Sequence, residues 1–173
     1  MSDIDAMARD AGQRVRTTAW LKERPWRAAV LAGFGGFLTI GALASANATE
    51  QLPLLIPPFG ASCVLVFGAP ASPFARPRNV VGGHLVSALM GLCAVSAFGY
   101  GPLGIAVGVG LAIAAMMLTD TVHPPAGANP IVVALTHASW TFLAAPVLVG
   151  AAAIVLAAAA YNRAVAGAKS SLP

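Results

Sequence analysis

Few residues in this chain could do chemistry, and they cluster. Thr119, Asp120, Thr121, His123 and Asn129 crowd a short stretch that also carries the adjacent prolines Pro124 and Pro125. An imidazole can donate to an anion or pass a proton near neutral pH. The alternative for His123 is to cap carbonyls freed by the prolines. Asp120 could pair with Arg76, Arg78 or His123, or accept a proton; a structural ion pair is the plainer role. Arg76, Arg78 and Asn79 form a second cluster, and the planar arginine fork matches small carboxylate-like anions. The same cations could instead be a cytoplasmic anchor. His84, beside Gly82 and Gly83, suits a helix–helix hydrogen bond better than a ligand role. His137 sits near the end of its segment and is read as interfacial.

The surroundings of these residues are apolar. Of 173 residues, 58% are hydrophobic and 9% charged, against about 25% charged in an ordinary soluble domain. Between Ala28 and Asn162 the charges are Glu50, Arg76, Arg78 and Asp120. That excludes a soluble globule, and the hydrophobicity excludes disorder. Two cysteines, Cys63 and Cys93, make no disulfide framework. The chain reads as an all-α integral membrane protein. Arg14, Arg16, Lys22, Arg24 and Arg27 precede the first apolar run, and Arg163 and Lys169 follow the last. These flanks fit the positive-inside rule, with both termini cytoplasmic and the chain in the inner membrane. They do not suggest nucleic acid, since no folded partner element accompanies them.

Residues 1–26 read as a polar, partly helical interfacial tail carrying Trp20 and Trp26, 27–163 as one transmembrane domain, and 164–173 as a C-terminal tail. Full spans are expected at 27–48, 79–99, 102–119 and 140–163. Two further apolar segments, 52–68 and 119–138, are broken by Pro57 and Pro58 and by Pro124 and Pro125, which remove backbone donors. A shift of 67 residues superposes Pro57, Pro58, Gly60, Ala61 and Ser62 on Pro124, Pro125, Gly127, Ala128 and Asn129. The expected architecture is therefore two internal repeats of span, broken segment and span, about 27–98 and 99–163. If the broken segments cross, the repeats are inverted and Arg76 and Arg78 are cytoplasmic, the favoured arrangement. If they re-enter, the repeats are parallel and these arginines face outside.

Paired interrupted segments at matching positions in two halves point to a transport site. Each break frees backbone groups, tolerated at membrane depth only inside protein or along a water-filled cavity. The following half-helix presents free N–H groups and a partial positive charge. The expected substrate contacts are Gly60, Ala61, Ser62, Gly127, Ala128 and Asn129 at the two breaks, with His123, Asp120 and Thr121. Arg76, Arg78 and Asn79 complete the set at the mouth. A purely structural kink is the alternative. Gly104, Gly108 and Gly110 lie inside a span with no strand before them, so they form no dinucleotide loop. Nothing gives His84, His123 and His137 metal-ligand spacing, so no metal or cofactor is expected. With no nucleophile elbow and no carboxylate pair, neither is an enzyme.

The stretch from Thr121 to Pro130, TVHPPAGANP, together with FGASCVLVFGAPASPFARPRNVVGGHLVSALMG at 59–91, resembles the HPP family of integral membrane proteins. That family is named for the motif held here by His123, Pro124 and Pro125. The resemblance covers roughly residues 25–160. It implies four transmembrane helices, and chloroplast and cyanobacterial members are implicated in nitrite transport. The expectation is thus a transporter or channel for a small inorganic anion, nitrite first, working in the bilayer as a homo-oligomer. The rivals are a non-transporting membrane scaffold or sensor subunit, and a transporter of another small solute.

Overall fold

Proline placement sets where each helix starts. In the computed structural model, which describes residues 26–49 and 54–170, α1 runs over Trp26–Thr49. Residues 54–56 are extended. Pro57 and Pro58 then open α2, Pro57–Cys63, which continues through a wider π turn over Val64–Gly68. Proline is well placed in a first helical turn because its missing N–H has no partner there anyway. The same logic starts α3 at Pro77–Phe98 and α4 at Pro102–Leu118. A tight turn, Pro124–Ala128, leads into α5, Asn129–Thr136. The chain ends its described course with two short turns, Trp140–Leu143 and Ala144–Leu148, and then α6, Val149–Ser170. The interfacial tail expected over 1–26 lies outside the described residues apart from Trp26, as does Glu50.

Among the described residues three stretches are long and apolar enough to cross a membrane: Trp26–Ala48, Pro77–Phe98 and Trp140–Ala166. The fourth expected span, α4, is apolar but has only 17 residues. At about 1.5 Å per residue it sits at the short limit for crossing a hydrocarbon core about 30 Å thick. It stops where Asp120 turns left-handed, at φ 53°. The last span is also not one straight helix. Ala145, before Pro146, is extended at φ −134° and ψ 126°, the region that a following proline imposes. Beyond 163, where a tail was expected, α6 continues to Ser170.

Side-chain contacts fix the level of each element. Tyr161, late in α6, donates to the Leu31 carbonyl early in α1 (2.8 Å), and Asn162 donates to the Val66 carbonyl at the end of the α2 π turn (3.1 Å). Pro77 and Asn162 line one cavity. These groups, with Arg78 and Asp120, mark one end of the bundle. At the other end the Leu54 N–H donates to Asn47 late in α1 (2.9 Å), and Tyr100 stacks on His137, centroids 4.4 Å apart. Leu55, His137 and Ser139 share a second cavity there. Both broken segments therefore extend between the two ends. The core between them is held by Phe59, Val80, Leu92, Val133, Val147 and Ile154, all buried. Packing rather than water exclusion holds such elements together in lipid.

Candidate functional site

The two proline breaks meet at the centre of the bundle, because glycines on the long helices let them in. A Cβ on Gly83 of α3 would lie 2.7 Å from His123 Cβ and from the Thr121 carbonyl oxygen. At the position 67 residues later, a Cβ on Gly150 of α6 would lie 3.1 Å from the Leu54 carbonyl and would collide with the Phe59 ring. Leu54 and Thr121 are themselves 67 apart. Each break is thus covered by a glycine from the opposite half of the chain.

Four side chains, all fully buried, converge where the breaks meet: Ser62 of α2, His84 of α3, His123 before the second break, and Asn129 at the start of α5. Ser62 Oγ lies 2.8 Å from His84 Nε2 and 2.8 Å from His123 Nε2, with the Pro58 carbonyl at 3.2 Å. The other nitrogen of His84, Nδ1, faces the Asn129 carboxamide, 3.1 Å from Nδ2 and 3.4 Å from Oδ1. Asn129 Nδ2 also donates to the His84 carbonyl at 2.9 Å. His123 Nδ1 lies 2.8 Å from the carbonyl oxygen of Phe74. A carbonyl only accepts, so His123 carries a proton on Nδ1. Phe59 meets His84 edge-on at 5.1 Å, and Ser87 donates to the Ala126 carbonyl at 2.6 Å, which satisfies one group freed by the break.

A second polar tier lies at the bundle end that holds Arg78. There Arg78 pairs with Asp120 at 3.2 Å and donates to the Thr119 carbonyl at 2.8 Å. The Asn79 amide donates to the Val122 carbonyl at 2.8 Å, and Thr121 is buried against the Thr119 hydroxyl at 2.8 Å. Arg76 is exposed in the loop that also supplies the Phe74 carbonyl. So Asp120 has the arginine partner weighed for it, whereas His123 faces the Phe74 carbonyl in the Pro73–Ala75 turn and not one freed by its own proline break.

The expected contact residues therefore divide into three sets. Ser62, His123 and Asn129 come together at the centre. Arg76, Arg78, Asn79, Asp120 and Thr121 gather at the end. Gly60 and Ala61 are exposed, and a Cβ on Gly60 or Gly127 would meet nothing, so these small residues look outward from the cluster. Ala128 is half-buried, and Pro57, Pro58, Pro124 and Pro125 do break the two segments. His84 makes the helix–helix hydrogen bonds expected of it, joining α2 to α5, but sequence reasoning did not place it in the site; the signal was the Gly82 and Gly83 pair that brings α3 against the second break. His137, the remaining histidine, is exposed at the far end.

Comparison with known proteins agrees with a membrane assignment. Two Dictyostelium discoideum proteins described only as transmembrane proteins are 35% identical over 141 residues and 34% identical over 160 residues, covering 76% and 87% of this chain. The chain spans about half the length of these relatives, 50% and 51%. No solved structure matches. The profile of the HPP transmembrane region matches residues 21–171, and the chain belongs to the HPP family of membrane proteins.

Proposed function

We propose that this protein moves a small inorganic anion across the membrane, with nitrite the first candidate. One observation carries the reading. Ser62 and Asn129, equivalent under the 67-residue offset, approach opposite nitrogens of one buried imidazole, that of His84. Broken segments from two halves meeting at mid-bundle are the arrangement that alternating access uses. The contacts at the two bundle ends support six crossings in two inverted repeats, with both termini and Arg76 and Arg78 on the cytoplasmic side. In that orientation Arg76 and Arg78 would draw an anion to the cytoplasmic mouth, and the ion pair of Arg78 with Asp120 would open to admit it. The outward-facing Gly60, Ala61 and Gly127 would pack against another copy in a homo-oligomer.

A second reading, a non-transporting membrane subunit, draws on a different observation. Every buried side-chain nitrogen and oxygen among the described residues has a hydrogen-bond partner, as a purely structural cluster requires. Proteoliposomes containing the full chain separate the two. Nitrite uptake above empty vesicles, lowered by His123→Ala and by Arg78→Ala, is the expected result. No uptake of nitrite, nitrate, formate or chloride by verified folded protein would overturn the transport reading in favour of the structural one.

A further inference from the structure

The hydrogen bonds at the centre have a direction, and it can be read off from one end. His123 Nδ1 donates to the Phe74 carbonyl, so in a neutral ring Nε2 is an acceptor. Ser62 then gives its single hydroxyl proton to His123 Nε2 at 2.8 Å, rather than to the Pro58 carbonyl at 3.2 Å. The Ser62 oxygen is left to accept from His84 Nε2. With its proton on Nε2, His84 accepts at Nδ1 from the Asn129 amide. One polarity thus runs without a break from Asn129 through His84, Ser62 and His123 to Phe74. Every member is satisfied and none is charged, as a buried polar network requires.

We propose that His84, Ser62 and His123 form a one-proton relay through the centre of the bundle. An arriving proton binds His84 Nδ1 as the Asn129 carboxamide turns to present Oδ1, which is already 3.4 Å away. The Nε2 proton of His84 passes to Ser62 Oγ, and the Ser62 hydroxyl proton passes to His123 Nε2. His123 then holds two protons, one toward Ser62 and one toward Phe74, and on the loop side it gives the Nδ1 proton to water as that nitrogen leaves the Phe74 carbonyl, which accepts a hydrogen bond but cannot carry the proton. One proton enters and one leaves, and nothing is oxidised. Afterwards the wire points the other way, because His84 now carries its proton on Nδ1 and His123 on Nε2. It cannot pass a second proton until the rings reset. That property suits a carrier that moves one proton per conformational cycle, not an open proton channel.

Each element packed on His123 carries a titratable or charged group, and of these His84 touches it, ring centroids 5.0 Å apart. His84 comes from α3, and Cys63 follows Ser62 on α2. Arg76 follows the Phe74 loop, and Asp120, paired with Arg78, precedes His123 on its own segment. The relay rests on the transport reading for its solute, and two measurements on the full chain keep the two ideas separable. The first is nitrogen-15 NMR of histidine-labelled protein in lipid nanodiscs, with the three histidines assigned by single His→Gln variants. Near neutrality His84 should carry its proton on Nε2 and His123 on Nδ1. On acidification His123 should gain its second proton together with a switch of His84 to the Nδ1 tautomer. A His84 that keeps its tautomer while His123 charges overturns the relay, whatever the protein transports.

The second measurement follows a pH dye inside proteoliposomes under an inward nitrite gradient. The intact chain should acidify the lumen, Ser62→Ala should lose that acidification, and Ser62→Thr, which keeps the hydroxyl, should retain it. Nitrite entry without acidification overturns the relay and leaves the transport reading standing. Steady acidification without any permeant anion overturns the single-proton cycle. If no anion enters, the transport reading fails, and the tautomer switch decides the relay by itself.

Discussion

Asn129 is the residue whose loss should be felt most locally. Its amide serves both the Nδ1 atom and the main-chain carbonyl of His84. Asn129→Ala would leave a buried imidazole nitrogen unpaired, at a cost of about 1–3 kcal/mol, read as a lowered melting temperature in detergent. Gly83→Ala acts from the other side of the same contact. Its new Cβ would sit 2.7 Å from His123 Cβ and the Thr121 carbonyl, an overpacking worth about 1–3 kcal/mol. Unchanged melting of Gly83→Ala would contradict the close seating of α3 on the second break. At this scale much was legible beforehand. A polar or ionisable group next to a proline break in an apolar run stands out, and Ser62, His123 and Asn129 stood out for that reason. His84 did not, because one histidine within a Gly-rich span has the same pattern whether it joins two helices or organises a site.

Proline and glycine made the elements legible, and length arguments handled them less well. Each adjacent proline pair starts a short segment where the missing N–H atoms require one. The shortness of α4 and the kink before Pro146 were not foreseen, since both depend on single backbone conformations, Asp120 turning left-handed and Ala145 extended. Charge favours crossing through two arginines alone, because both readings leave the termini cytoplasmic and differ only in the side of Arg76 and Arg78. The contacts at the two bundle ends support the same reading, and labelling tests it. In a background lacking Cys63 and Cys93, Arg76→Cys should react with an impermeant maleimide from the side of the termini and Ser139→Cys from the opposite side. Reaction of Arg76→Cys from the side opposite the termini would instead require segments that dip in and return.

At the scale of the whole molecule, stability and function should separate. The Arg78 and Asp120 side chains are 65% and 88% exposed, so their ion pair contributes at most about 1 kcal/mol. Arg78→Ala should therefore leave the melting temperature almost unchanged while lowering anion uptake. A large stability loss would mean that the pair is a structural clasp. The reciprocal seating of Gly83 on the second break and Gly150 on the first has a broader consequence. Each proline gap takes one of its closest helix contacts from the other half of the chain. If those contacts hold the fold together, the two halves should behave as partners that share a tether at residues 99–101. Severed there and co-expressed, the pieces should find each other in the membrane and purify together, whereas either piece produced alone should be cleared by membrane proteases.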